Sequence, residues 1–150
     1  MNQSADFVGP GTRLEATLDR YSDAWNRHDV DAILALHTDD SVFENHTSGG
    51  FAVGKAELRT LIESVFATFP DLHFSTRRAY FGEGVAVLEW TARATHAHPI
   101  RRGELVFPPT GKTLSWDGMD VMPVRDGLIA RKDVYADSIS LLEQLGVSLP

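Results

Sequence analysis

Cysteine is absent from the 150 residues of this sequence. Without thiols, disulfide bonds, thiolate nucleophiles and cysteine-ligated zinc are excluded. Basic residues are also few: 14 Lys and Arg stand against 21 Asp and Glu, which gives a net charge of −7. An acidic chain of this kind is poorly suited to general nucleic-acid binding, and the pairs Arg77-Arg78 and Arg101-Arg102 are too short to reverse that expectation.

Long apolar runs and glycine-rich phosphate loops are missing as well. No apolar stretch approaches the roughly 20 residues that a membrane-spanning helix needs. The first residues, Met1 to Gly11, lack the basic start and apolar centre of a signal peptide. We therefore expect a cytoplasmic protein without a membrane partner. The absence of a phosphate-binding glycine motif also leads us to expect no cofactor.

The residues that are present indicate one α+β domain. Hydrophobic residues make up 43% and charged residues 23%, as in ordinary globular proteins. We predict a flexible tail over 1–11 and a single domain over 12–150. Apolar spacing and caps predict helices over 12–25, after Asp29, over 55–69 and over 138–145. Alternating patterns predict strands over 41–45, 72–81, 85–98, 113–124 and 128–136.

Helices that precede a long antiparallel run favour a curled, mixed sheet wrapped around the N-terminal helices. The concave apolar face of such a sheet is the expected binding pocket. Within the run 114–124, period-two alternation places Asp120 on the same face as Trp116 and Met122. A carboxylate among apolar groups costs free energy unless it is paired, protonated or used. Asp120 is therefore either a candidate catalytic acid or a structural group paired with Arg131 or Lys132.

Several segments, taken in order, resemble the SnoaL-like polyketide (ester) cyclases, a family within the superfamily of nuclear transport factor 2 and ketosteroid isomerase. These segments are Trp90–His96, Pro108–Lys112, Gly118–Asp120, Asp126–Ile129 and Leu141–Gly146. The resemblance implies a cone-shaped curled sheet closed by helices, and a homodimer. It also implies that Asp120 acts as general acid and base, and that His96 assists it.

The predicted ligand is a small, largely apolar organic molecule that carries a carbonyl group. A carboxyl group can remove a proton next to a carbonyl and return it elsewhere when its pKa lies near the working pH. This chemistry predicts a cyclase, isomerase or lyase reaction. The candidate ligand contacts are apolar or polar side chains expected to border the pocket: Trp25, Phe43, Asn45, His46, Trp90, Trp116, Met122 and Tyr135.

Other activities have weaker support in the sequence. Phe43-Glu44-Asn45 resembles the Tyr-x-Asn of limonene epoxide hydrolases, but Trp90-Thr91-Ala92 stands where their Arg-x-Asp pair is expected. His96 and His98 share a strand face, as metal ligands can, but no histidine follows them, and we predict no metal. A binding module without turnover and an isomerase of the ketosteroid type remain open alternatives.

Overall fold

The computed structural model describes residues 6–8 and 12–148, and the predicted flexible tail over 1–11 lies largely outside this range. The described residues form four helices: α1 (Thr12–Asn26), α2 (Val30–Ala35), α3 (Gly54–Thr68) and α4 (Ser138–Gln144). They also form nine strands: β1 (Asp6–Val8), β2 (His37–Asn45), β3 (Phe51–Val53), β4 (His73–Gly82), β5 (Val85–Thr95), β6 (Ile100–Arg102), β7 (Leu105–Phe107), β8 (Thr113–Arg125) and β9 (Leu128–Ala136).

Seven strands make one curled sheet in the order β1-β4-β5-β8-β9-β2-β3, and β6 and β7 form a separate hairpin. The central strands β4, β5, β8 and β9 pair antiparallel, as the meander predicted. Parallel pairing occurs between β1 and β4 and between β2 and β9. The predicted α+β class with a curled mixed sheet is therefore confirmed.

The core lies between the concave face of this sheet and the helices. Residues on β5 alternate between buried and partly exposed positions along most of the strand, which shows that one face is covered. The helices supply apolar side chains from one face each, including Leu18 of α1, Ile33 of α2 and Ile62 of α3. A smaller cluster joins Ile100, Leu114 and Leu141 and attaches the β6–β7 hairpin and α4 to the sheet.

Local side-chain bonds explain several element boundaries. Asp29 caps α2, as predicted, because its Oδ1 accepts a hydrogen bond from the Ala32 amide at 2.9 Å. Asp137 caps α4 in the same way through the Ser140 amide. The side chain of Thr12, the first residue of the predicted capping box, lies outside the described residues. Among the described helices, none has the length and apolar character needed to cross a membrane.

The strand bounds differ from the sequence predictions at three places that affect the site. Strand β2 begins at His37 rather than at residue 41, which brings His37 into the sheet. Strand β5 ends at Thr95, where the Asp71 carboxylate accepts hydrogen bonds from the Thr95 amide and hydroxyl. The hairpin of β6 and β7 follows, so His98 is not part of a long strand. Within the predicted tail, Asp6–Val8 pairs with β4 as a strand.

Candidate active site

A cavity of about 440 Å³ lies between the concave sheet face and helices α1 and α3. Its volume is in the range of small-molecule pockets. Its wall is largely apolar and includes Phe43, Leu88 and all three tryptophans of the sequence, Trp25, Trp90 and Trp116. The cavity is therefore suited to an organic molecule with a sizeable apolar part.

Asp120 and Lys132 form a buried ion pair in the wall of this cavity. Lys132 Nζ lies 3.0 Å from Asp120 Oδ2, and each side chain is 7% exposed. Asp120 comes from β8 and Lys132 from β9, and Asp120 pairs in register with Val134, two residues beyond Lys132. Desolvating two charges costs free energy that their attraction only partly returns, so a pair of this kind is weak evidence of a purely stabilising role.

Three aromatic rings surround the Lys132 ammonium group. Nζ lies 4.6 Å from the ring centroid of Trp25, 5.1 Å from that of Tyr21 and 5.6 Å from that of Phe43. Burial by itself would lower the pKa of Lys132, but the Asp120 carboxylate and Tyr21 outweigh it and raise the pKa above its ordinary value. Lys132 therefore stays protonated and holds a positive charge next to Asp120.

A buried polar chain continues behind the ion pair. The Tyr21 hydroxyl lies 3.0 Å from His37 Nε2, and His37 Nδ1 lies 2.8 Å from Ser41 Oγ. Burial, assisted by the charges of Lys132 and Lys55, lowers the pKa of His37 to about 3, so its ring is neutral at pH 7. Burial also raises the pKa of Tyr21, although the Lys132 charge opposes the shift. Both groups are therefore neutral hydrogen-bonding groups that hold this end of the site in place.

Three buried polar atoms of cavity-lining residues lack a hydrogen-bond partner within the described protein. They are Asp120 Oδ1, Trp25 Nε1 and Trp90 Nε1. Of the two indole groups, Trp25 also approaches the Tyr21 hydroxyl closely enough to act against the rise in the Tyr21 pKa. A buried polar group without a partner costs about 1–3 kcal/mol, and native proteins contain few of them. One acceptor and two N–H donors thus belong to residues of a single cavity wall.

Six of the ten predicted site residues line the cavity: Asp120, Trp25, Phe43, Asn45, Trp90 and Trp116. Asp120 is 5% exposed, which agrees with the alternation argument. Of the two partners proposed for a structural Asp120, the structure selects Lys132, whereas Arg131 bonds to Asp133 and Glu44. The Asn45 side chain also accepts hydrogen bonds from the Thr47 and Ser48 amides, so it shapes the loop at the cavity wall.

The structure does not bring His96 and Asp120 together. His96 follows the end of β5, eight residues beyond Leu88, which is the register partner of Asp120. At about 3.3 Å per residue this corresponds to roughly 25 Å along the strand. His96 is fully buried, its Nδ1 lies 3.0 Å from Thr110 Oγ1, and its Nε2 lies 3.3 Å from the Phe107 carbonyl oxygen. It supports the turn before β8 and does not line the cavity.

Tyr135, His46 and Met122 also lie outside the cavity wall. The pairing of β8 with β9 shifts between Val121 and Val124, so that β9 carries one extra residue between Ile129 and Asp133. This bulge reverses the alternation, and Tyr135 points outward at 47% exposed instead of sharing a face with Ile129. His46 stacks on Tyr135 with ring centroids 4.4 Å apart. Met122 is fully buried in the main core.

His37 and Ser41 were not among the residues predicted for the site, and Lys132 was predicted only as a partner for Asp120. The signal for Lys132 is alternation counted backward from the buried Val134, which places Lys132 on the same face. Counting forward from Ile129 places Lys132 on the opposite face, because the bulge adds one residue to β9. His37 has no comparable signal, because the predicted strand began four residues later.

One cluster outside the cavity has the composition of a metal site. Ligand atoms of Glu44, His46 and Asp133 lie within 4.8 Å of one another. Arg131 already bonds to both carboxylates, and His46 Nε2 lies 2.8 Å from Asp133 Oδ1. The Arg131 guanidinium thus supplies the positive charge that the two carboxylates would otherwise take from a metal ion.

A comparison with models of protein families identifies the family of this chain. The model of the SnoaL-like domain matches residues 18–132. The chain belongs to the SnoaL-like domain family. The matched range includes the whole of β8 and reaches Lys132, so both members of the buried ion pair lie within the family domain. A search of curated proteins found no match.

Solved structures with the same architecture include proteins provisionally assigned as a hydroxylase and as polyketide cyclases. AclR of Streptomyces galilaeus, provisionally assigned as a hydroxylase, has 24% identity and a TM-score of 0.76, over 91% of this chain and 88% of its own. IdmH of Streptomyces antibioticus, provisionally assigned as a polyketide cyclase, has 22% identity and a TM-score of 0.74, over 89% and 99%. A SnoaL-like protein of Jannaschia sp. CCS1, with the same provisional assignment, has 15% identity and a TM-score of 0.80, over 97% and 100%. These solved structures share the fold of this chain, a curled sheet closed by helices.

Proposed function

We propose that this SnoaL-like domain is an enzyme that needs no cofactor and transfers a proton on a largely apolar, carbonyl-bearing small molecule. The reaction class is cyclisation or isomerisation, with Asp120 as the general acid and base. The observation that carries the proposal is the state of the Asp120 carboxylate. Its Oδ2 is held by Lys132 in the cavity wall, whereas its Oδ1 is buried without a partner in the described protein.

In the proposed first step, Asp120 Oδ1 takes a proton from the carbon next to the carbonyl group. The electron pair of the broken C–H bond moves into the carbonyl and forms an enolate. The indole N–H groups of Trp25 and Trp90 donate to the enolate oxygen, where negative charge develops. Lys132 keeps its own proton and holds the carboxylate in place, since its pKa is raised.

In the second step, the protonated Asp120 returns the proton. In an isomerisation the proton goes to another carbon of the same conjugated system. In a cyclisation the enolate carbon attacks a second carbonyl carbon, and the proton goes to the resulting alkoxide oxygen. General acid–base catalysis of this kind is typically worth about 10²- to 10⁴-fold in rate. His96 has no part in this proposal, because it lies outside the cavity wall.

A second candidate function is a binding module that holds the same ligand without turnover. The ion pair itself favours this candidate, because the Asp120 carboxylate already has a cationic partner in Lys132. In that case the unpartnered Oδ1 accepts a hydrogen bond from the ligand and no proton moves. The two functions therefore differ in product formation and not in ligand affinity.

The test compares the wild-type protein with Asp120→Asn on a panel of aryl ketones and 1,3-dicarbonyl compounds. Ligand binding is measured by tryptophan fluorescence and product formation by mass spectrometry. We expect Asp120→Asn to bind within a few-fold of the wild type and to lose turnover by about 10²-fold or more. Asp19→Asn, which alters an exposed carboxylate of α1, is the matched control.

Equal turnover by Asp120→Asn and wild type would exclude Asp120 as the acid and base. Binding of panel compounds without product from either protein would favour the binding module.

A further inference from the structure

The arginine pair Arg101-Arg102, too short for a nucleic-acid site, lies at the wall of the cavity. Both residues belong to β6, whose first residue, Ile100, is 4% exposed and packs against Leu114 and Leu141. This packing holds β6 against β8 and α4. Because side chains alternate along a strand, Arg102 shares the face of Ile100, and it is half-buried, whereas Arg101 is exposed.

The guanidinium group of Arg102 has no hydrogen bond or ion pair with any residue in the described part of the chain. Eight arginine and lysine residues elsewhere do have such partners, among them Arg59, Arg77 and Arg131. Burial lowers the pKa of Arg102, and no carboxylate acts in the opposite direction. A half-buried guanidinium with five N–H donors and no acceptor is the protein group best matched to a carboxylate.

The charges around the cavity favour an anionic ligand. Among the residues that the structure describes, the charged side chains that line it are Arg101, Arg102, Lys132 and Asp120. Asp120 is already paired with Lys132, so the two arginines are left without a compensating charge in the wall. The chain as a whole carries a net charge of −7, so the cavity has the opposite sign to the molecule. Walls of low dielectric constant focus such a field and attract ions of the opposite charge.

We propose that the ligand of this cavity is an organic monoanion, an apolar molecule with one carboxylate, and that Arg102 binds this carboxylate. The Lys132 end is unsuitable for it, because Lys132 is already paired and Asp120 would repel a second negative charge. The carboxylate therefore lies at β6, and the reacting carbonyl lies toward Asp120 and the free indole N–H groups. This inference deepens the proposed function and rests on it only in using the same cavity.

The three tryptophans provide the assay, since all of them line the cavity. The probes are naphthalene-2-carboxylate and naphthalene-2-carboxamide, which have the same shape but differ in charge. Their dissociation constants are measured at pH 7 by quenching of tryptophan fluorescence. We expect the wild type to bind the carboxylate about tenfold more tightly than the amide, as a charge-assisted bidentate contact implies.

Arg102→Gln is expected to remove this preference, and Arg102→Lys to retain part of it, because the charge remains and the planar fork is lost. Arg93→Gln is the matched control, because Arg93 is exposed and lies outside this cavity. It removes the same charge and is expected to keep the full preference. If Arg102→Gln does not fold, the inference is tested by comparing the preference for the carboxylate over the amide in the wild type and in Arg102→Lys.

Three results would overturn the inference: equal affinity of the wild type for acid and amide, an unchanged preference in the Arg102 variants, or no binding of either probe. None of them bears on the proton-transfer role of Asp120, which is tested by turnover. Loss of turnover in Asp120→Asn with intact preference for the acid would support both proposals separately.

Discussion

At the scale of single residues, the buried pair of Asp120 and Lys132 is the feature on which the site depends. Each charge is acceptable in the apolar wall because the other is 3.0 Å away. Removing one partner leaves an uncompensated buried charge, whereas removing both leaves none. The pair therefore predicts strongly non-additive effects of substitution.

The change Lys132→Met is expected to lower the free energy of unfolding by about 3–5 kcal/mol, because Asp120 is left buried and unpaired. The double variant Asp120→Asn/Lys132→Met is expected to recover most of this loss. Urea unfolding of the wild type, both single variants and the double variant measures the coupling. Additive effects of the two substitutions would contradict the pairing.

His37 gives the molecule a specific sensitivity to acid. Its folded-state pKa of about 3 lies below the ordinary value of 6.5, so the unfolded chain binds its proton first as the pH falls. Stability contributed by neutral His37 is complete above pH 6.5 and is lost progressively toward pH 3, at up to about 1.4 kcal/mol per pH unit.

We expect His37→Gln to remove this part of the pH dependence, measured as the slope of the unfolding free energy between pH 6.5 and 4.5. His73→Gln, which changes an exposed histidine, is expected to keep the wild-type slope. Carboxylates with lowered pKa, such as Asp71 and Asp133, act in all three proteins and cancel in the comparison. If the unfolding free energy of His37→Gln fell with pH as steeply as that of the wild type, His37 would not be the source of this acid sensitivity.

At the scale of elements, strands β5 and β8 shape the cavity through a pair of unequal residues. Trp90 lies directly opposite Gly118, and its ring covers the glycine. A Cβ atom at position 118 would lie 2.2 Å from Trp90 Cη2, so the indole would have to move. Gly118 therefore determines where Trp90 and its free N–H can lie.

We expect Gly118→Ala to destabilise the protein by about 1–3 kcal/mol through overpacking and to weaken ligand binding through displacement of Trp90. Gly50→Ala is the control, because its Cβ would meet only ordinary contacts, the nearest at 3.5 Å. Thermal unfolding and tryptophan fluorescence measure the two effects. A Gly118→Ala protein as stable as Gly50→Ala would contradict the packing argument.

The elements also show how far the sequence could predict the site. Period-two alternation placed Asp120 correctly because β8 pairs with β5 without a shift. It misplaced Tyr135 because the extra residue in β9 depends on the register with β8, which no local pattern specifies. The roles of His37 and Arg102 were not predictable, because they depend on how α1 and the β6–β7 hairpin pack against the sheet.

At the scale of the whole molecule, we retain the expectation of a homodimer. Met119 and Tyr135 are register partners on the outer face of the sheet and are 37% and 47% exposed. Apolar side chains grouped on an exposed sheet face suit an interface between two copies. Light scattering is expected to give the mass of a dimer, and Met119→Lys/Tyr135→Lys is expected to give a monomer. A monomeric wild type would refute this expectation.

The cone of sheet and helices encloses one set of groups that can act together: a held carboxylate, two free N–H donors and an unpaired arginine. In the proposed function the carboxylate of Asp120 moves a proton on the ligand. Deuterium exchange at the carbon next to a carbonyl detects this step directly, whether or not a ring closes.

The decisive measurement is the rate of deuterium incorporation into a bound aryl 1,3-dicarbonyl acid in D2O, followed by NMR, with wild type and Asp120→Asn. We expect exchange that is faster with the wild type by about 10²- to 10⁴-fold, at equal ligand occupancy. Equal exchange rates for the two proteins, with the ligand bound to both, would contradict it.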